Sequence, residues 1–534
     1  MFPTKSNYHL WQLVVLTLFL SCFTLASPTF AAIFPLEITN IKPAGTGNPA
    51  IPSTNRIFRA YPGIKYNIRA AVIGGLYPYT YSLSNAPSGM TINSATGEIT
   101  WPSPQANSGA ITLTVRDSEN TTVSTSWSIT VSSSTNDFIF VNSAYSGTQT
   151  GSISQPYSSL ANMLASQTNN YKIVYFRSGT YQMVDYNSTA DNVMNLESSP
   201  RTWIEYPGET AVLQGGSDSA AKAHRIVSFS SFYFDGLTFL EMKNYGILTQ
   251  SSANYKTLRN CVFDGLEPTD NVNNNYGFLH TGNDGDGYYL VIQDNEFTDW
   301  TGSSAIGSMY SDVKALIENN YIHDPRASST YSGIGGTNGI SPKYYTDYLT
   351  VRGNKVIMNK GDLMGGNNAA FIDAPNIEIC FNLFVRTGGR GGHIFDWEIG
   401  RQRSTYYWRN TLIGDLAIRA GTGGPYYINN NVISNPNTTF EGFLITNFIS
   451  HPPSAPTLSG YATVANNLTN TTASNLVNTS NEYKLVSAQA TYVGSRGWQL
   501  TDGLTPMELR ASSPPVSTPP PVTAPTPPIG FKTI

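Results

Sequence analysis

The chain has 534 residues, of which only 12% are Asp, Glu, Lys or Arg, and its formal net charge at pH 7 is −4. This length is too great for one ordinary domain, and a low charge content with abundant Gly suits an extracellular β-rich protein better than a cytosolic enzyme. The sequence contains no basic runs, so we do not expect nucleic acid or an acidic membrane surface as a partner.

The N-terminus has the layout of an export signal. Lys5 precedes a short apolar run, and small residues follow that run, so we expect residues 1–31 to be a signal peptide cleaved after Ala26 or Ala31. The run is too short to span a bilayer comfortably, which predicts no integral membrane segment in the mature protein. Lipid attachment at Cys22 is the alternative route of processing. Both routes predict a secreted or cell-surface protein.

Residues 33–131 have the pattern of a small antiparallel β-domain. Segments 111–115 and 126–131 alternate with period two, so each predicts a strand with one buried face. The phrase Pro-Ser-Gly-Met-Thr-Ile at 87–92, followed by Thr-Gly-Glu-Ile-Thr-Trp at 96–101, is similar to the He-PIG, cadherin-like module of bacterial surface proteins. This resemblance implies an Ig-like β-sandwich that acts as a spacer or a weak binder.

A Ser/Thr linker at 132–136 leads into a different kind of segment. An apolar strand pattern at 138–141 and a short amphipathic helix pattern at 156–165 come first. We expect the helix to cover the open end of a stack of coils over 137–500, because the first coil of a parallel stack has an unpaired edge. Residues 511–534 are rich in Pro, Ser and Thr and predict a disordered tail.

One short pattern recurs in the later part of the chain: an apolar residue, two variable residues, Asn, one variable residue, then usually another apolar residue. Counted from Cys261, which takes the first Asn place, the intervals are 34, 25, 34, 28, 28, 21 and 36 residues. A motif that persists while its spacing drifts is typical of a solenoid, because insertions leave each coil as surface loops. Stacked Asn amides about 4.8 Å apart can satisfy turn backbone that would otherwise be buried and unpaired. The Asn positions are Asn295, Asn320, Asn354, Asn382, Asn410, Asn431 and Asn467.

The Asn ladder, the short β-branched runs and the coil length resemble those of the pectate-lyase-like superfamily of polysaccharide-acting proteins. The resemblance implies an all-β chain in which a right-handed parallel β-helix follows the Ig-like sandwich. It leaves the reaction open, since this fold carries lyases, hydrolases, epimerases and non-catalytic stalks.

Ionisable residues gather on one outward face in the later coils. One inward column is predicted at Ile247, Leu279, Ile306, Ile340, Ile372, Phe395 and Ile418. Period-two alternation then puts the next residue of each strand outside. Asp373 and Asp396 on adjacent coils would lie about 5 Å apart, so one carboxyl pKa should rise and leave a proton donor beside an acceptor. The predicted catalytic residues are Lys343, Asp373, Asp396 and Arg419, and the predicted substrate-binding residues are His280, Phe371, Arg390 and Glu398.

Two reaction types fit these residues. In a hydrolase the two aspartates would serve as the acid and base pair. In a lyase they would hold calcium against a uronate substrate, Arg419 would neutralise the sugar carboxylate and Lys343 would remove the α-proton. Residues 340–343 (Ile-Ser-Pro-Lys) are similar to the lysine strand of β-helix alginate and chondroitin lyases, whereas residues 363–366 read Leu-Met-Gly-Gly where those enzymes carry an arginine. Calcium is the candidate cofactor.

These patterns predict an exported protein that binds and cleaves an extracellular, acidic polysaccharide on the face of the β-helix, as a lyase or a hydrolase. The alternative from another class is a non-catalytic adhesin or matrix protein in which the β-helix is a rigid stalk. A solvated row of modest ion pairs on a solenoid face is the simplest structural explanation of the same charges. An enzyme should have a groove over the patch, whereas a stalk should be flat and evenly polar there.

Overall fold

Most strands of the protein run parallel to their neighbours and stack into long sheets. Within the part of the chain that the structure describes, no helix is long and apolar enough to cross a membrane. The computed structural model describes residues 34–166, 172–184, 193–196, 200–215, 225–228, 230–243, 245–250, 254–266, 276–281, 287–300, 304–309, 312–325, 338–343, 348–359, 377–386, 392–395, 405–408, 410–413, 416–419, 426–429, 432–434, 462–465, 468–470, 476–479, 482–485, 490–492 and 498–500.

The N-terminal module is an Ig-like sandwich of short strands, as predicted. Ile111, Leu113 and Val115 are fully buried while the threonines between them are partly exposed, which confirms the predicted alternation. Trp101 and Trp127 belong to the same buried core. Its strands are Glu37–Ile38, Arg59–Ala60, Tyr66–Arg69, Val72–Ile73, Thr80–Ser84, Thr91–Ile92, Glu98–Trp101, Ile111–Arg116, Thr122–Trp127 and Thr130–Val131, with a 3-10 turn at Arg56–Phe58.

A short helix covers the beginning of the stack, as the sequence predicts. The helix Leu160–Ala165 is capped by Ser159, whose Oγ accepts a hydrogen bond from Asn162 N at 3.1 Å. Leu160, Met163 and Leu164 are buried in the main core of the solenoid. The helix therefore closes the apolar interior that the first coil would otherwise open to water.

Three parallel sheets form the walls of the β-helix, and their strands pair coil upon coil in register. Sheet I contains Phe138–Val141, Ile173–Phe176, Arg201–Glu205, Phe232–Asp235, Lys256–Arg259, Leu290–Gln293, Leu316–Glu318, Thr350–Arg352, Ile377–Cys380, Thr405–Trp408, Tyr426–Asn429 and Ala462–Ala465. Sheet II contains Gly179–Gln182, Ala211–Gln214, Thr238–Leu240, Val262–Asp264, Glu296–Thr298, Tyr321–His323, Lys355–Met358, Leu383–Arg386, Thr411–Ile413, Val432–Ser434 and Leu468–Asn470. Sheet III contains Val193–Asn195, Arg225–Ser228, Tyr245–Gln250, Tyr276–Thr281, Ser304–Met309 and Asn338–Lys343.

Shorter pairings accompany the three walls. Strands Gly392–Phe395 and Leu416–Arg419 form a parallel pair of their own, as do Gly287–Tyr288 and Asp312–Val313. After the last coil the chain turns to antiparallel pairing. The two antiparallel pairs are Leu476–Thr479 with Glu482–Leu485 and Ala490–Tyr492 with Trp498–Leu500.

The predicted Asn ladder is confirmed from Asn295 to Asn410. Each side-chain amide donates to the Oδ1 atom of the next Asn, at 2.9 Å from Asn320 to Asn354 and at 3.0 Å from Asn354 to Asn382. Each also bonds backbone, since Asn354 Nδ2 donates to Ile317 O and its Oδ1 accepts from Asn320 N, both at 2.9 Å. The ladder therefore satisfies buried turn backbone in every coil that it crosses. Asn431 and Asn467 lie outside the described residues.

The interior is filled by side chains stacked along the axis. The rings of Phe239, Phe263 and Phe297 lie parallel, with centroid separations of 4.7 Å and 4.8 Å. This separation matches the distance of about 4.8 Å between neighbouring strands, so equivalent residues of successive coils meet face to face. The main core of the β-helix is one continuous cluster of buried apolar side chains that extends through successive coils.

The Ig-like module packs against the outer face of sheet I. Phe34 makes an edge-on ring contact with Tyr348 at 5.5 Å. Leu76 is buried in one cluster with Phe381 and Trp408. Sheet I is thus covered on its outer face where the module lies.

Candidate functional site

Sheet III has a row of core residues that confirms three positions of the predicted inward column, Ile247, Ile306 and Ile340. Ile247, Phe278, Ile306 and Ile340 are paired in register and are all fully buried. Phe278 takes the place in which the sequence predicts Leu279. In this coil the prediction is wrong by one residue.

The misaligned residue lies beside a corner where the alternation of the strand is interrupted. A Cβ atom at Gly246 would lie 2.3 Å from Gly277 O and 2.9 Å from Phe263 Cε1, so this position faces the core directly before Ile247, which does so too. Gly277 repeats the arrangement, since a Cβ there would lie 2.9 Å from Phe297 Cδ1. Two consecutive inward positions interrupt the period-two alternation of the strand. The Tyr-Gly phrase recurs at 245–246 and 276–277, and aligning these two phrases gives the observed pairing of the two strands.

A small polar cluster joins two neighbouring strands of sheet III. Ser304 Oγ is hydrogen-bonded to Ser341 Oγ at 2.8 Å, and Asn338 Nδ2 donates to Ser341 Oγ at 3.3 Å. Ser341 follows the inward Ile340 on its strand, which gives it the opposite face. All three polar side chains are fully buried. The strand that they fix, Asn338–Lys343, ends at Lys343.

Three predicted site residues lie on described strands whose backbone register can be read. Lys343 pairs with Met309, in the row that the sequence predicts. His280 pairs with Thr249 and with Ser308, so it belongs to the row after Leu248 and not to the outward row predicted for it. That assignment is wrong for the same reason as that of Leu279.

Arg419 has a register partner that differs from the prediction. It pairs with Phe395, while Ile418 pairs with Ile394. The sequence aligns Phe395 with Ile418, and this alignment is wrong by one residue.

The other predicted site residues lie outside the described residues. They are Phe371, Asp373, Arg390, Asp396 and Glu398. The predicted approach of Asp373 to Asp396, and a calcium ion between them, therefore remain predictions. Among the described residues, no group of three or more His, Cys, Asp or Glu side chains could hold a metal ion.

Sheet II has a different cluster of ionisable side chains, around His323. Its Nε2 atom is 2.9 Å from Glu296 Oε1 and its Nδ1 atom is 2.8 Å from Asp324 Oδ2. Its ring stacks on Tyr321 with centroids 3.9 Å apart, and Lys355 Nζ lies 4.6 Å from the centroid of that same Tyr321 ring. Both ring nitrogens of His323 are thus engaged by carboxylates of the protein. The arrangement stabilises the surface of sheet II and offers no imidazole nitrogen to a ligand.

Comparison with known proteins identifies the N-terminal module. Residues 48–132 match the family described as "Putative Ig domain" (He_PIG). This segment is a small part of the chain and describes the module alone. None of the curated proteins compared with the sequence is similar enough to be a relative.

Several solved structures of polysaccharide enzymes are similar to a large part of the chain. The pectate lyase Pel9A is 15% identical, with a TM-score of 0.35, over 68% of this chain and 95% of its own. A rhamnogalacturonan lyase is 11% identical, with a TM-score of 0.41, over 70% and 98%. The family 28 exopolygalacturonase of Yersinia enterocolitica is 9% identical, with a TM-score of 0.29, over 82% and 99%.

Proposed function

We propose that this protein is exported and that it binds and cleaves an acidic extracellular polysaccharide on the outer face of sheet III. The observation that carries the proposal is the buried cluster in which Ser304 bonds Ser341 on the neighbouring strand, Asn338–Lys343, which also contributes Asn338 and ends at Lys343. A rigid stalk would be flat and evenly solvated there. Polar side chains that are withdrawn from water and held by one another are the supporting layer that a functional site needs.

The favoured chemistry is β-elimination from a uronate. Arg419 would neutralise the sugar carboxylate, which lowers the free energy needed to remove the α-proton. Lys343 as the neutral amine would take that proton, and the bond from the β-carbon to the glycosidic oxygen would break. The departing oxygen would take a proton from water, and the product would carry a new carbon–carbon double bond. Hydrolysis by Asp373 and Asp396 is the alternative, and calcium bound by these carboxylates would belong to the lyase.

Product analysis on a panel of glycans tests the proposal. The panel is alginate, pectate, glycosaminoglycans and neutral glycans, each with and without calcium. For a lyase we expect reducing ends together with ultraviolet absorbance of the unsaturated product, and we expect Lys343→Ala to abolish both. Lys65→Ala is the matched control, since Lys65 is exposed on the Ig-like module. Its activity should equal that of the wild type.

The remaining outcomes decide between the alternatives. Reducing ends without absorbance, lost in Asp373→Ala, would replace the lyase by a hydrolase. Retention of a glycan without any cleavage across the panel would overturn the enzymatic proposal and favour the adhesin.

A further inference from the structure

The outer face of sheet I has an unusual composition for the surface of a β-helix. One register row along it contains Asp235, Arg259, Gln293, Glu318 and Arg352, one residue from each of five successive strands. All five side chains are less than a tenth exposed. Charged residues are almost never buried unless they are paired, so this row needs a partner surface with matching groups.

The Ig-like module supplies those groups from its strand Tyr66–Arg69. The guanidinium of Arg69 binds the carboxylate of Asp294, with Nη1 at 2.6 Å from Oδ2, and its Nη2 lies 3.2 Å from Glu318 Oε2. On the same strand Asn67 accepts a hydrogen bond from Arg259 Nη2 at 2.7 Å. This strand of the module thus provides a partner for the carboxylate of Glu318 and a partner for the guanidinium of Arg259.

The segment of the module that follows this strand holds Arg352. Nη2 of Arg352 donates to Val72 O and Nη1 donates to Tyr79 Oη, both at 3.1 Å. Its guanidinium also lies over the rings of Tyr77 and Tyr79, at 4.6 Å and 4.9 Å from their centroids. On the β-helix side it pairs with Glu318, with Nε at 2.8 Å from Oε1. Arg352 therefore has partners on both sides of the boundary.

Aromatic contacts extend the same surface to both ends of the module. Tyr61 packs edge-on against Phe138 and Phe140 of the first coil, with centroids 5.4 Å and 5.0 Å away. Tyr77 packs against Phe381 at 4.9 Å. The contact therefore runs from the first strand of sheet I to the turn after its ninth strand, Ile377–Cys380.

We propose that the outer face of sheet I is a docking surface for this chain's own Ig-like module, which is permanently seated there and keeps that face from substrate. This replaces the expectation that the module is a spacer or a weak binder. Charges buried with partners on both sides make the match specific, since leaving either side unpaired in a dry interface is strongly unfavourable. The proposal does not depend on the function proposed for sheet III.

Cutting the linker in the intact mature chain tests the proposal. Residues 133–136 are exposed, so a protease site introduced there can be cleaved after the chain has folded. Size-exclusion chromatography at micromolar concentration should show that the two pieces elute together, although they separate in denaturant. Elution of two separate species under native conditions would overturn the proposal.

A pair of arginine variants tests whether the buried ion pairs hold the module. In the cut protein, Arg69→Ala should raise the dissociation constant between the pieces at least about thirtyfold. Arg116→Ala, on the exposed end of the strand Ile111–Arg116, should leave it unchanged. Circular dichroism of the uncut variants controls for misfolding. Equal dissociation constants for the two variants would overturn the role given to Arg69.

Discussion

Glu318 is the residue on which the boundary between the Ig-like module and the β-helix converges. Its carboxylate accepts hydrogen bonds from Gln293 Nε2 at 2.7 Å and Arg352 Nη2 at 2.6 Å. Burial alone would raise the pKa of Glu318, but the charges of Arg352 and Arg69 outweigh burial and bring the pKa below its usual range. The carboxylate is therefore ionised near neutral pH, and its ion pairs are formed.

The depressed pKa of Glu318 predicts the sign of one contribution to acid sensitivity. A carboxyl whose folded pKa is lowered contributes stability that is fully present above its unfolded pKa of about 4.3, and that is lost as pH falls through the folded value. We expect Glu318→Gln to be less stable than the wild type near neutral pH and to lose less of its stability on acidification. Thermal melts from roughly pH 7 to pH 3 measure this.

Glu241→Gln is a matched control for the acid series, because Glu241 is a partly exposed acceptor for Gln214 Nε2 at 3.1 Å, away from the boundary. Its acid dependence should follow that of the wild type. An unchanged or steeper loss in Glu318→Gln would show that this carboxylate does not stabilise the folded state through its ion pairs.

At the scale of structural elements, the Asn ladder joins the coils where they turn from sheet I to sheet II. Strands of a solenoid contact only their neighbours, so stability depends on what passes between adjacent coils. Cys261 begins the series in place of Asn, and its backbone N donates to Asn295 Oδ1 at 2.9 Å. The backbone N–H of the first position is thus satisfied by the Asn of the next coil, Asn295. The first position itself therefore does not need to be Asn and can be another small residue.

Removing one amide from the middle of the ladder should destabilise the β-helix. In Asn354→Ala, the backbone groups Ile317 O and Asn320 N lose their partners in a buried turn. Each group left without a partner costs about 1–3 kcal/mol, so for the two groups we expect the free energy of unfolding to fall by roughly 2–6 kcal/mol. Chemical denaturation measures the loss.

The control for the ladder is Asn136→Ala in the exposed linker. We expect its unfolding free energy to lie within about 0.5 kcal/mol of the wild type. If Asn354→Ala were equally mild, the ladder amides would not be what stabilises these turns.

At the scale of the whole molecule, the module lies alongside the β-helix and does not extend it. The ion pair between Glu37 Oε2 and Lys314 Nζ, 2.6 Å apart, joins the module to the chain between two coils. Both side chains are partly exposed, 25% and 30%, so a reagent in solution can reach them. An end-to-end arrangement of the two domains would keep them apart.

Carbodiimide coupling should therefore form an amide bond between Glu37 and Lys314 in the folded protein. Mass spectrometry of the digest identifies the cross-linked peptide, and Lys314→Arg should remove it. The pair of Glu37 with Lys42, 3.1 Å apart within the module, provides the internal control. Formation of the Glu37–Lys42 product without the Glu37–Lys314 product would contradict the side-by-side packing.

The sequence by itself determined the Ig-like module, the capping helix and the ladder, because each rests on a short motif that can be recognised within a few residues. Period-two alternation and the repeated Asn reflect local geometry, which any coil must satisfy. It also placed Lys343 in its row. It misplaced His280 because it aligned Leu279 with Ile247, whereas Phe278 pairs with Ile247. It likewise aligned Phe395 with Ile418, whereas Ile394 pairs with Ile418.

Only the tertiary structure decided which face of the β-helix is covered. Arg69 and Asp294 are 225 residues apart in the chain. Whether a charged side chain is buried depends on the surface that packs against it. Here that surface belongs to the Ig-like module, which is distant in the chain from the strands of sheet I. From sequence alone, the row from Asp235 to Arg352 therefore resembles an ordinary solvent-exposed polar face. Its burial becomes evident only when the module is packed against it.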